Sequence, residues 1–265
     1  PYAKKALSLL HNLLLQTTGE ELMGRSHFFK RTDIAKVCIV ALTSDRGLCG
    51  AYNSQVLRTA LQLSQEHPFA DIVAVGRKAH EFFKKSGRHI AASFSRFSDV
   101  ATLQDAEPLA NWLLERYKTH AYDQILFCST VCISALKQRV EAQEILPLTI
   151  EGLEKIIKGI VPKTGRFTEY SSGNADNHIS YMFEPTKTLV FEKLVEELVK
   201  VEIVHSVFEA NASEHSSRMI AMKNATENAE DLQAFLTVAL NKARQSSITQ
   251  ELAEISTAKE ALTSE

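Results

Sequence analysis

The sequence stops using proline and glycine long before it ends. Pro185 is the last proline and Gly173 the last glycine. Nothing in residues 186–265 therefore forces a helix to break. Cysteine is scarce as well. The four cysteines, Cys38, Cys49, Cys128 and Cys132, lie in or beside apolar runs. None has zinc-ligand spacing, and they read as reduced, buried thiols of an intracellular protein. The nine histidines are scattered and form no H-E-x-x-H pair. There is no excess of positive charge, with Lys+Arg 30 against Asp+Glu 32 and a net charge of −2. That argues against a general nucleic-acid binder. No run of about 20 apolar residues exists to span a bilayer, and no signal peptide is present. Neither G-x-x-x-x-G-K-[ST] nor G-x-G-x-x-G occurs, so the two familiar phosphate cradles are missing. What remains is ordinary globular composition, 265 residues at 45% hydrophobic and 23% charged. That is enough for one sizeable core.

Residues 186–265 form the stretch around which the rest is arranged. Thr186 stands as a helix N-cap directly behind the breaker Pro185. At about 1.5 Å per residue, an unbroken helix from there would be roughly 120 Å long. Its first third carries a strongly apolar face: Leu189, Val190, Leu194, Leu198, Val201, Val204 and Phe208. The stripe then becomes narrow and small: Met219, Met222, Thr226, Ala229, Leu232, Leu236, Ala239 and Ala243. Steps of three and four are coiled-coil spacing. So thin a seam is marginal alone and needs a partner helix or a surrounding protein. Periodicity by itself leaves a dimerising coiled coil open.

The preceding chain alternates. Residues 1–18 read as a helix with Leu7, Leu10, Leu13 and Leu14 on one side, and residues 20–33 as a polar loop. Residues 37–42 are a continuous apolar run, as in a buried parallel strand. The loop Thr43–Asn53 and a helix over residues 54–64 follow. Within the loop, Gly47 and Gly50 are expected to serve a tight turn. Further strands are predicted at residues 72–75, 89–94, 124–128 and near 145–150. Helices are expected through Phe82 and Phe83, with Gly87 as the stop, and around Trp112. Residues 151–180 read as an irregular loop. The predicted fold class is α/β: a doubly wound, mostly parallel sheet over residues 34–185, followed by a very long C-terminal helix over residues 186–265. No convergent set of His, Asp, Glu or Ser supports catalysis.

Five windows carry a family resemblance. Asn241–Leu252 and Ser217–Thr226 resemble the C-terminal helix of the gamma subunit of F-type (proton-translocating) ATP synthases. The loop from Thr43 to Asn53, with its Asp45-Arg46-Gly47-Leu48-Cys49-Gly50, is similar to that family's signature far upstream. Tyr181–Pro185 resembles the short strand leading into the family's final helix. Pro1-Tyr2-Ala3 resembles a segment near the end of its long N-terminal helix. The resemblance thus implies that the first part of that helix is missing from this sequence. It also fits a chain that begins at Pro1 rather than Met, as a fragment or processed product would.

The resemblance implies a central rotor shaft that couples proton flow to ATP synthesis or hydrolysis on other chains. It implies no catalytic residue, cofactor or metal of its own. The implied partners are the alpha and beta subunits, an epsilon (or delta-like) rotor subunit and the membrane c-ring. The implied place is peripheral, on the inner face of an energy-transducing membrane. Arg244 and Gln245, extended by Thr249 and Glu251, would form a polar catch against a beta-subunit loop. Asp45, Arg46, Glu214 and Arg218 would be rotor–stator contacts. Glu214 and Arg218 stand four apart in the favourable acid-first order. The alternative function is a stand-alone α/β domain whose helix drives oligomeric assembly.

Overall fold

A computed structural model describes residues 26–29, 34–95, 97, 101–134, 137–149, 152 and 183–263. The core strand is β1 (Val37–Leu42), six residues all buried. It is followed by α1 (Tyr52–Glu66), β2 (Asp71–Val75), α2 (Arg77–Lys85), β3 (Ile90–Phe94), α3 (Leu103–Lys118), β4 (Gln124–Ser134), β5 (Lys137–Leu146) and α4 (Lys187–Thr263). The sheet order is β3-β2-β1-β4-β5. β1 pairs in parallel with β2 on one side (Val40 opposite Val73) and with β4 on the other (Val40 opposite Phe127). β3 is parallel to β2, while β5 runs antiparallel to β4.

The period of two in the strands divides the core into two layers. Ile39, Ala41, Ile72 and Ala74 pack against Val56, Ala60 and Phe83 of α1 and α2. Val40, Leu42, Val73 and Phe127 pack on the other side, against Leu109, Leu113 and Tyr117 of α3 and the first third of α4. Full burial of each such side chain is worth about 1.5–3 kcal/mol. The ends of the helices are specified locally. Thr102 and Asp105 close a capping box at the start of α3. At α4, the Leu189 amide donates to Thr186 Oγ1 at 3.3 Å, so Thr186 is the cap that its place behind Pro185 suggests.

Several expectations are corrected. β5 is ten residues long and antiparallel, not a short strand near 145–150. Its Lys137, Arg139, Glu141 and Glu144 belong on an edge strand, where charges discourage edge-to-edge pairing. Phe28 and Phe29 are core residues rather than parts of a polar loop. Phe28 stacks on Tyr117 at 6.2 Å and Phe29 on Phe191 at 5.9 Å. Phe29 also bridges to Leu148. α1 begins two residues before the expected start, at Tyr52. The apolar face of α4 is in part the one expected: Leu198 and Val204 are buried, and Val190 and Leu194 pack at the edge of the core. Phe191, Val195, Val199, Ile203 and Val207 are buried as well, whereas Leu189 and Phe208 are 50% and 38% exposed. Phe183–Pro185 is not a strand. The expected helix over residues 1–18, positions 181 and 182, and the expected loop over residues 151–180 (Gly152 apart) lie outside the described residues.

By its contacts the chain divides into two compact units, Pro1–Ser217 and Arg218–Glu265. The helix α4 runs unbroken for 77 residues.

Candidate functional site

In an open α/β sheet, ligands bind outside the carboxyl ends of the strands, where the strand order reverses. Here that point lies between β1 and β4. It is taken by the chain's own helix. Tyr52, at the start of α1, donates its hydroxyl to the Ala210 carbonyl at 3.0 Å. Ser213 Oγ donates to the Thr130 carbonyl on β4 at 3.1 Å. Ala210 and Ser213 are both buried.

The loop from β1 to α1 is likewise satisfied from within. The Ser44 amide donates to Asn53 Oδ1 at 2.9 Å, and Ser44 Oγ to the Arg46 carbonyl at 2.5 Å. Asn53 Nδ2 donates to Ser44 Oγ at 2.7 Å and to Cys49 Sγ at 3.1 Å. Asp45 is half-buried, and its carboxylate accepts the Arg77 amide at 2.7 Å, capping the N-terminus of α2. Arg46 is exposed. Of the two loop glycines, Gly50 takes a left-handed conformation at φ 59°. Gly47 does not, and a Cβ there would meet nothing. The other left-handed residue is Leu48, at φ 61° with 75% of its surface exposed.

Charged and polar side chains hold the base of α4. Lys118 meets Glu196 at 2.5 Å and Lys200 meets Glu107 at 3.1 Å, both bridging to α3. Burial opposes ionisation of Glu196. The hydrogen bonds and charges of Lys118 and Lys193 outweigh it and hold the carboxyl below its ordinary value. Glu202 is different: it is buried against β5 and accepts from Gln143 Nε2 at 3.2 Å. Burial pushes it up, and the nearby Glu209 adds to that. His205 and the Gln143 bond only partly offset the rise.

Glu214 and Arg218 are both half-buried on α4. Within the unit Arg218–Glu265, residues 218–263 are helical, and Met222 to Lys259 are exposed. This stretch shows water Leu232, Phe235, Leu236, Leu240, Leu252 and Ile255. Arg244, Gln245, Thr249 and Glu251 are all exposed. Helical geometry divides these four into two pairs. Arg244 and Glu251 share one side, and Gln245 and Thr249 share another roughly a third of a turn away. Thr249 Oγ1 donates to the Gln245 carbonyl at 2.8 Å.

Cys38, Cys49 and Cys128 are buried free thiols. Burial pushes Cys128 up to about 12, which makes a thiolate inaccessible at neutral pH. Among the described residues, no group of three or more His, Cys, Asp or Glu could hold a metal ion. No described helix is long and apolar enough to cross a membrane. Glu202 and the seating of α4 by Tyr52 and Ser213 were not anticipated from the sequence, because their partners lie far away along the chain.

A doubly wound domain followed by a very long helix is a fold this chain shares with chains solved in ATP synthase central stalks and rotors. The chain superposes on a component of the Euglena gracilis mitochondrial ATP synthase (OSCP/F1/c-ring, rotational state 3) with a TM-score of 0.60. That match is at 19% identity and covers 98% of this chain and 90% of that one. A chain of the Tetrahymena thermophila mitochondrial ATP synthase central stalk and c-ring gives a TM-score of 0.56 at 19% identity, covering 84% and 97%. The family model described as ATP synthase matches residues 1–262. The ATP synthase gamma chain of Chloroflexus aurantiacus (strain J-10-fl) is 31% identical over 268 residues, covering all of this chain and 85% of that relative. That of Ligilactobacillus salivarius is 30% identical over 275 residues, covering 98% and 85%. The chain belongs to the ATP synthase gamma chain family.

Proposed function

We propose that this chain is the central rotor shaft of an F-type ATP synthase and catalyses nothing itself. It transmits rotation between a proton-driven membrane c-ring and nucleotide chemistry carried out on beta subunits. Its partners are alpha and beta subunits around the distal half of α4, and an epsilon or delta-like subunit and the c-ring beside the sheet domain. The complex sits on the inner face of an energy-transducing membrane, with this chain peripheral to the bilayer.

The observation that supports this most is the contrast along α4. Its base is bonded into the sheet domain through Tyr52 and Ser213, while Met222 to Lys259 are exposed and present Leu232, Leu236, Leu240 and Leu252 without a partner among the described residues. A lone helix of that kind is marginal in water and calls for a sleeve. Arg244, Gln245, Thr249 and Glu251 are proposed as polar catches on two sides of the shaft, and Asp45, Arg46, Glu214 and Arg218 as contacts with surrounding subunits. For Asp45 the contact would be secondary to its capping of α2.

The test is reconstitution. The pure chain should hydrolyse no ATP. Added to alpha and beta subunits, it should yield a complex whose hydrolysis drives rotation of a probe on the sheet domain. ATPase activity that scales with the pure chain, or a stable homo-oligomer that refuses alpha and beta subunits, would overturn the reading.

A further inference from the structure

We propose that Gln138 is a torque-bearing positioning residue, which with Ser213, Ser217 and Thr130 locks α4 against rotation on the β4–β5 hairpin. The proposal deepens the rotor reading and rests on it. Gln138 Nε2 donates to the backbone carbonyl of Ser213 at 3.0 Å. Its Oε1 accepts from Ser217 Oγ at 2.8 Å. Ser213, fully buried, donates its own hydroxyl to the Thr130 carbonyl at 3.1 Å. One planar amide thus spans a full helical turn, from residue 213 to residue 217. A third strand-borne hydrogen bond fixes the buried side of that turn.

The physical reason is directionality. Packed apolar side chains hold α4 on the sheet, and directional bonds add a restraint that depends steeply on its angle about its own axis. Hydrogen bonds weaken steeply when bent. If α4 turns about its axis, the Ser213 carbonyl and the Ser217 hydroxyl sweep sideways across the Gln138 amide, and at least one bond must stretch. Small residues along this stretch of α4 make room for this. Ser206, Ala210, Ser213 and Ser217 recur at steps of four, three and four and are small. Strand side chains therefore reach helix backbone there, which Leu or Phe at the same positions would prevent. Tyr52 grips the Ala210 carbonyl at 3.0 Å in the same stretch. An elastic shaft needs its stiffest joint where twisting load passes into the globular domain, and residues 210–217 carry these bonds.

Two measurements test this. The first is amide hydrogen exchange of the chain alone. Gln138→Ala and Gln138→Glu should each speed exchange at residues 213–217 by about five-fold, the worth of a typical net hydrogen bond. Glu matches Gln in size and still accepts from Ser217, but a carboxylate cannot donate to the Ser213 carbonyl. It therefore separates lost packing from lost bonding, and it keeps the test alive if the Ala variant folds poorly.

The second is single-molecule rotation in the assembled complex, with the probe on the sheet domain. The angular variance during catalytic pauses should rise about two-fold or more in both Gln138 variants and in Ser217→Ala, because a torsional restraint is lost. Ser217→Thr, which keeps the hydroxyl, should match the wild type. The unloaded hydrolysis rate should stay unchanged. Wild-type exchange at residues 213–217 in Gln138→Glu overturns the clamp. So does wild-type angular variance in a folded Gln138 variant, or a rise in Ser217→Thr equal to that in Ser217→Ala. Failure of the wild-type chain to assemble with alpha and beta subunits would instead sink the rotor reading, while the exchange measurement still decides the clamp.

Discussion

Gly76 joins β2 to α2, and the structure says closely what a single methyl group there would do. Its φ is +87°, and a Cβ would lie 2.1 Å from the Thr43 carbonyl oxygen, 2.7 Å from its carbon and 2.9 Å from its Oγ1. Neither side can yield cheaply. Gly76 donates its amide to the Phe94 carbonyl at 2.7 Å, and Thr43 donates its amide to the Val75 carbonyl at 2.8 Å. Thr43 Oγ1 donates to the Val75 carbonyl and accepts the Ala79 amide, both at 2.9 Å. Positive φ for a residue with a Cβ costs about 1–3 kcal/mol, and forcing an extra methyl into a packed site adds about 1–3 kcal/mol. Gly76→Ala should therefore destabilise by about 2–6 kcal/mol, a large part of the 5–15 kcal/mol that holds a typical protein folded. Gly87→Ala is the control. Its φ is +67° but its Cβ meets nothing within 4 Å, so only the backbone part, about 1–2 kcal/mol, applies. The assay is urea unfolding followed by fluorescence of the single tryptophan, Trp112, which packs on Phe94 at 6.3 Å and on Tyr122 at 6.2 Å. If the two variants unfold within about 0.5 kcal/mol of each other, the steric argument is wrong.

Glu202→Gln should raise the melting temperature in a pH-dependent way. Burial raises the Glu202 pKa above 4.5 in the folded state, so the folded chain holds that proton more tightly. The resulting cost of ionisation is absent at low pH and grows as pH climbs past 4.5. The advantage of Gln should accordingly be near zero at about pH 4 and appear toward neutrality; a difference independent of pH would refute it. Arg218→Ala should change stability by no more than about 0.5 kcal/mol, as befits a half-exposed charge, yet lower the ratio of protons pumped to ATP hydrolysed. An unchanged ratio, or a parallel fall in melting temperature, counts against the contact. Arg244→Ala combined with Gln245→Ala should leave the complex assembled and slow its turnover about ten-fold, since a charged hydrogen bond is worth about 1.5–3 kcal/mol. Because the two residues sit on different sides of the helix, each single variant should slow turnover by itself. Wild-type turnover in the intact double variant would reduce both to solvated surface.

The parts of this fold that are visible in the sequence are those whose physics is local. β1 and β2 are continuous apolar runs because both their faces are covered. α4 announces itself by the lack of Pro and Gly and by Thr186 behind Pro185. β5 hides because an edge strand needs charge, and Lys137, Arg139, Glu141 and Glu144 give it no apolar run. The buried face of α4 is ambiguous for the opposite reason. Val190 and Leu194 stand beside Phe191 and Val195, and only packing against the sheet decides which pair turns inward. Phe28 and Phe29 join the core from a polar stretch because Tyr117 and Phe191, far along the chain, supply their partners. At the candidate site, Asp45 is legible as a loop carboxylate, but the amide it caps is 32 residues away. The link from Gln138 to Ser213 spans 75 residues. No periodicity reaches that far. The distal residues Arg244, Gln245, Thr249 and Glu251 are marked only by resemblance, since an exposed polar helix surface looks the same whether or not it meets a partner.

The strand order of this domain is one that elsewhere holds nucleotides, so the physical question is what has become of the anion site. Two features would make one: free backbone amides in the loop after β1, and an uncapped helix N-terminus whose dipole favours negative charge. Each is used only in part. The Ser44 amide is bound by Asn53 across the loop, and the Asp45 carboxylate sits at the N-terminus of α2, the helix after β2, while the N-terminus of α1 carries no side-chain cap. The crevice beyond β1 and β4 holds the backbone of α4, tied by Tyr52 and Ser213. Hydrogen-bonding capacity that a nucleotide-binding domain of the same strand order directs to a diffusible ligand goes here to fastening a helix. A ligand must be released, so its site is built to let go. A shaft must not slip, and the same topology with its donors turned inward gives a permanent mount.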